Sequence, residues 1–346
     1  MSAGAVDGRR VGAPRLPGPR GGLSDAVLSW LRTGSGPLPT GEEIRRDDPY
    51  GADPQLALYA LYELHYQGFD GVPDDHEWDP SLLAVRRSLE RAFLTGLRAD
   101  APVSGVPEAM AGLLSEPAGD DGTGVSHYLK REGRLWQLRE YAALRSLYHL
   151  KEADPHAWVL PRLRGRAKAG MVAIEFDEFG AGRAEDIHAR LFADLMADLA
   201  LETAYGHYVD LAPAEALATV NLMSLLGLHR SLRGASVGHF ATLEVTSPPG
   251  ARRLAEAMRR VGAGPAAQRF YDEHAVADAV HEQVVRKEVV GGLLRDEPHL
   301  EADVAFGIGA TVFLEDGLAA HLLRSWQAEH SALRAPLPRA PCLVGG

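Results

Sequence analysis

One cysteine in 346 residues, Cys342 in a proline-rich closing segment, excludes two kinds of site at once. The chain can build neither a disulfide framework nor a thiolate-held zinc or iron–sulfur centre by itself. No apolar run approaches the about 20 residues that cross a bilayer. The opening MSAGAVDGRRVGAPRLPGPRGG carries an arginine pair with no hydrophobic segment behind it, unlike a secretory signal. A cytoplasmic protein with no membrane partner is therefore expected. Positive charge is the minority: 36 Lys and Arg stand against 47 Asp and Glu, for a net −11. Such a surface repels phosphate backbones, so no nucleic-acid partner is expected. Two-residue alternation of apolar and polar positions is scarce as well, which removes the main strand signal.

What fills the chain is Ala, Leu, Arg and Glu at helical spacing. Helices are read over 23–34, 53–69, 79–99 and 107–116, two of them opening on Asp-Pro, and as one or two over 124–154. Further helices are read over 158–179, 184–206, 213–228, 251–262, 265–294 and 301–326, with a break at Pro248-Pro249 and a helix-to-helix turn at 180–183. The fold class is all-α. Residues 1–22 and 327–346 read as tails, 23–134 as an N-terminal helical extension and 135–326 as the main domain.

The stretch HAVADAVH, 274–281, sets three good metal ligands among small apolar residues. At about 100° per residue, positions i, i+4 and i+7 fall within roughly 60° of one another. His274, Asp278 and His281 thus share one stripe, and the alanines between them let other helices approach. Imidazole with carboxylate suits Zn, Fe or Mn. Complementary ligands stand elsewhere: Glu152 at the end of YAALRSLYHLKEAD, Glu178 before the turn, His188 beyond it, and Glu244 among apolar neighbours. A carboxylate on an apolar helix face is costly unless paired or metal-bound. Glu175 and Asp177 crowd the Glu178 stretch and offer alternative ligands. His149 shares a face with Glu152. His229 and His239 have no partner at helical spacing, and Glu63 and His65 read as packing residues.

Together these residues resemble the haem-oxygenase-like diiron oxidases and oxygenases, also called iron-containing redox enzymes. The likeness covers roughly 135–326. It rests on HxxxDxxH at His274, Asp278 and His281, on Glu152, on Glu178 followed ten residues later by His188, and on Glu244 about thirty residues upstream. It implies a seven-helix bundle like haem oxygenase, here with an added N-terminal region. It implies a metal set of Glu152, Glu178, His188, Glu244, His274, Asp278 and His281 holding two Fe(II)/Fe(III) ions, with O2 as co-substrate. The implied activity acts on a small amine, amino acid or fatty-acid-like molecule, by N-oxygenation or oxidative C–C cleavage, through a peroxo-diiron(III) species. With no flavin or nicotinamide fingerprint in the chain, an external reductase or iron–sulfur protein is the expected electron donor. A homodimer is expected by family habit. The competing expectation is a non-catalytic iron-binding or thiaminase-like bundle. Ferritin-like storage would need ExxH pairs on two helices, and the chain has HxxxDxxH plus Glu-x9-His instead.

Overall fold

Helix follows helix from Gly22 to Gln327, and among the described residues there is no strand. The computed structural model describes residues 12–102, 104–114 and 124–338, without the side chains of Val276, Ala277, Asp278 and Ala279. The first part of the chain forms α1 (Gly22–Thr33), α2 (Gly41–Arg46), α3 (Ala52–Glu63), α4 (Pro80–Asp100), α5 (Val106–Leu114) and α6 (Val125–Arg131). The rest forms α7 (Leu135–His149), the single turn α8 (Asp154–Ala157), α9 (Gly165–Glu178), α10 (His188–Asp198), α11 (Ala214–Leu228), α12 (Arg233–Arg260), α13 (Pro265–Val284), α14 (Gly291–Asp296) and α15 (Glu301–Gln327).

Local chemistry sets many of these ends. The Asp79 carboxylate accepts from the Ser81 and Leu82 amides while Pro80 takes the first helical position, so α4 starts where its orphan donors are satisfied. Thr40 and Glu43 close a reciprocal capping box on α2. The 184–206 segment is α-helical only over α10. The chain turns at Leu199–Ala200, with Ala200 at φ 53, and the Arg139 guanidinium donates to the carbonyls of Leu199 (3.0 Å) and Ala200 (3.1 Å). A distant cation thus satisfies the carbonyls that the ended helix leaves open, a stop that local sequence does not encode.

The expected break at Pro248-Pro249 does not occur. α12 runs through both prolines. A proline removes one intrahelical bond and crowds the carbonyl four residues back. Here that carbonyl belongs to Glu244 for Pro248. The helix continues because it is packed on one side by α13 and on another by α15. Past α13 the chain makes a π-helical turn over Val285–Val290, a distortion that is frequent at functional sites.

α12 and α15 approach backbone to backbone. A Cβ on Gly238 would lie 2.0 Å from the Val304 carbonyl oxygen, and one on Gly307 would lie 2.0 Å from that of Ala235. α15 belongs to the stretch Pro298–Gln327, which by length and composition alone could cross a membrane, contrary to the sequence expectation. Its apolar content serves packing: Val304, Ile308, Leu318, Leu322 and Trp326 are all buried.

A single buried apolar cluster extends from Leu23 and Val27 through Leu138 and Phe192 to Trp326 and Leu333. The N-terminal helices share this core with the main bundle. Within the expected tails, the Gly18 amide donates to Asp210 (2.8 Å), and Ser331 Oγ (2.6 Å) and the Ala332 amide (3.0 Å) donate to the Glu140 carboxylate. Residues 1–11 and 339–346 lie outside the described ones.

Candidate metal centre

Five stretches of chain deliver buried polar side chains to one point between α7, α9, α10, α12 and α13. Glu152 comes from the turn after α7, Glu178 from the last residue of α9, His188 from the first residue of α10 and Glu244 from the middle of α12. His274 and His281 lie two helical turns apart on α13. All six residues are at most 8% exposed, so their charges and lone pairs face one another instead of solvent.

They form two groups. Glu152, Glu178, His188 and His274 offer ligand atoms that all lie within 4.8 Å of one another, and so do Glu178, Glu244 and His281. Glu178 belongs to both. Its Oε2 is 2.6 Å from His188 Nδ1 and its Oε1 is 3.6 Å from His281 Nδ1, so the two carboxylate oxygens reach in different directions. His281 Nδ1 is also 3.3 Å from Glu244 Oε2. Six of the seven ligands expected from sequence are thereby brought together. The seventh, Asp278, is in α13 between the two histidines, and its side chain lies outside the described residues.

Neighbouring groups orient the ring nitrogens. His274 Nδ1 donates to the Phe270 carbonyl oxygen (2.8 Å), which leaves Nε2 as the basic nitrogen, 3.7 Å from Glu152 Oε2. His281 Nε2 donates to Asp177 (3.2 Å), which leaves Nδ1 facing Glu178 and Glu244. His149 Nδ1 sits 2.8 Å from Glu152 Oε1 and fixes that carboxylate from behind. Ligating histidines are commonly held through their other nitrogen in this way.

The electrostatics of the cluster fit cations. Every ion-pair partner described for Glu152, Glu178 and Glu244 is a histidine, with no lysine or arginine among them. Burial first, then Glu178 and Glu244, push the Glu175 carboxyl up to about 9, so the site already holds more negative charge than a fourth carboxylate can join. Burial would raise Glu152 too, but His149 and His274 outweigh it and hold this carboxyl well below its ordinary range. His188 is raised, against its burial, because Glu178 lies beside it. Glu152 Oε2 is buried with no hydrogen-bond partner. Clustered carboxylates and basic imidazole nitrogens, with a buried donor atom unsatisfied, are what a hard-to-borderline divalent ion needs. The donor set fits iron.

The cluster opens onto a cavity of about 330 Å³. Glu152, Glu178, Glu244 and His274 form one end; Phe240, Leu254 and Phe270 supply apolar wall. The Arg145 guanidinium also lines it, bound bidentately to Glu315 (2.9 and 2.6 Å), with Asp316 beside that pair. His156 and the Tyr271 hydroxyl line the cavity without hydrogen-bond partners. Burial, then Glu152, Glu178, Glu244 and Glu175, push the Tyr148 hydroxyl well above its ordinary range, so it keeps its proton.

A family-wide sequence profile described as iron-containing redox enzyme matches residues 139–316. The chain belongs to that family. The matched span carries every ligand candidate named above and leaves α1 to α6 outside. No curated protein matches the chain. Within the matched span, the sequence reading gave no role to the Arg145–Glu315 pair, whose members are too far apart along the chain to leave a local signal, or to His156, which no spacing marks out. Glu175 and Asp177 were read as rivals to Glu178. In the structure the three divide the work: Glu178 faces both groups, Asp177 orients His281, and Glu175 is a buried neutral acid.

Proposed function

We propose that this iron-containing redox enzyme is a non-haem diiron oxidoreductase that activates O2 against a small amine, amino acid or fatty-acid-like substrate. The observation that carries the reading is the sharing of Glu178 between two buried donor groups. Glu152, His188 and His274 would hold one ion and Glu244 and His281 the other, with Glu178 common to both and Asp278 on the same face of α13. Bound iron would supply the electrons and open coordination positions that O2 reduction requires.

The chain's own residues do the rest. The Phe270 carbonyl and Asp177 each hold a proton on the outer nitrogen of His274 and His281, so the inner nitrogens stay basic. Phe240, Leu254 and Phe270 line the approach and exclude water, which strengthens every charge interaction at the cavity end. The Tyr271 hydroxyl and the His156 ring present hydrogen-bonding atoms to a substrate's polar group. A cavity against the cluster favours turnover over simple iron storage. The chain carries no dinucleotide-binding fingerprint, so an external reductase or small iron–sulfur protein completes the scheme.

The test is to load the protein anaerobically with Fe(II), count the iron, then admit O2 and follow visible absorbance. Two irons per chain and a transient band are expected. One iron or none, with no transient, would overturn the reading.

A further inference from the structure

The most deeply buried ion pair among the described residues touches the centre through its backbone. Lys151 immediately precedes Glu152. Its side chain points the opposite way, and Nζ lies 3.1 Å from Glu63 Oε2, with the two side chains 1% and 0% exposed. Glu63 ends α3, in the N-terminal region that the family profile leaves outside. Its carboxylate is fully engaged: Tyr205 donates its hydroxyl to Oε2 (2.9 Å) and the Gln67 amide donates to Oε1 (3.2 Å). The Lys151 ammonium also sits over the Tyr66 ring at 4.1 Å, and Tyr66 in turn bonds Ser224 on α11 (3.0 Å).

Burying two opposite charges this far from water gains little stability over an apolar pair of the same shape, so such a pair signals a fixed geometry. The geometry fixed here is a disfavoured one. Ala153, next after Glu152, has φ 72, a left-handed conformation that a non-glycine residue holds only when its surroundings impose it. The short turn between α7 and α8 therefore carries Lys151 outward into α3 and Glu152 inward onto His149 and His274.

We infer that Glu63 and Lys151 are positioning residues for Glu152, through which the N-terminal helices set the iron affinity of the donor group containing Glu152, His188 and His274. This rests on the two-metal reading above. The group of Glu244 and His281, on α12 and α13, does not depend on that turn.

The experiment is a Co(II) titration of the full-length metal-free chain, followed by visible absorption, with thermal melting in parallel. Glu63→Gln combined with Lys151→Met removes both charges and avoids leaving one buried alone. The double variant is expected to melt near the wild type and keep one tight Co(II), while the second equivalent weakens about 10–100-fold. Glu140→Gln serves as the control: it breaks a buried network of α7 with Trp326 and Ala332, away from the turn. It is expected to lower the melting temperature and leave both Co(II) affinities equal to wild type. A double variant with two wild-type affinities, or one whose two affinities fall together, overturns the inference alone. A wild type that binds fewer than two ions overturns the two-metal reading and the inference with it.

Discussion

His281 is held on both sides of its ring. Nε2 meets Asp177 and Nδ1 faces Glu178 and Glu244, at 3% side-chain exposure. It is the sole imidazole in its donor group, whereas the other group has two. On the two-metal reading, replacing His281 with alanine should therefore take bound iron from two per chain to one, with helical content unchanged. Anaerobic iron counting beside far-ultraviolet circular dichroism reads both. Full iron retention in His281→Ala would show that this group holds no ion. Neighbouring positions bear less. His321, near Glu215 and the Ala332 carbonyl, gathers no second carboxylate among the described residues.

At the scale of elements, the centre exists because helices approach closely enough to converge their side chains. α12 contributes Glu244 and packs on α15 through Gly238 and Gly307. Gly238→Ala would push a methyl group into the Val304 carbonyl, and backbone cannot swing aside as a flexible side chain can. The overpacking should cost about 1–3 kcal/mol in urea unfolding. Gly317→Ala, on the same α15 but with open space around the glycine, should instead stabilise by about 0.5–1 kcal/mol. Equal effects from the two substitutions would mean that helix propensity, not the close approach, governs this pair. The same reasoning explains the prolines of α12: contact with α13 and α15 keeps a helix that local sequence would interrupt.

For the whole molecule, the pH dependence of stability follows from histidines sealed in the core. Burial, outweighing the pull of Glu315, lowers His239 to about 4, and burial, then His239, holds His156 well below its ordinary value. A histidine with a depressed native pKa is neutral in the fold and gains its proton only on unfolding. Its contribution is intact above about 6.5, the unfolded value, and is lost as pH falls toward 4. For His239 the loss approaches about 3 kcal/mol, at 1.36 kcal/mol per unit. Urea unfolding at pH 7 and pH 4.5 should show the metal-free wild type losing more stability than His239→Gln by up to that amount. Parallel losses would mean that His239 is protonated inside the fold.

Sequence alone determined the helical class, since a 3.6-residue period without alternation leaves no strand to build. It also determined the α13 stripe, because the angles between His274, Asp278 and His281 follow from helix geometry and need no partner. Glu244 was legible as a candidate because a carboxylate among apolar neighbours demands compensation, and Glu152, Glu178 and His188 were legible through the family resemblance. Tertiary structure alone decided that Glu178 faces both groups while Asp177 and Glu175 do not, for the three differ only in which way the end of α9 points. It alone ended α10 at Leu199, where an arginine sixty positions away caps the carbonyls. It alone joined Glu63 to Lys151 and gave Arg145 its Glu315. Such pairings depend on distances closed by packing, and no local spacing along the chain records them.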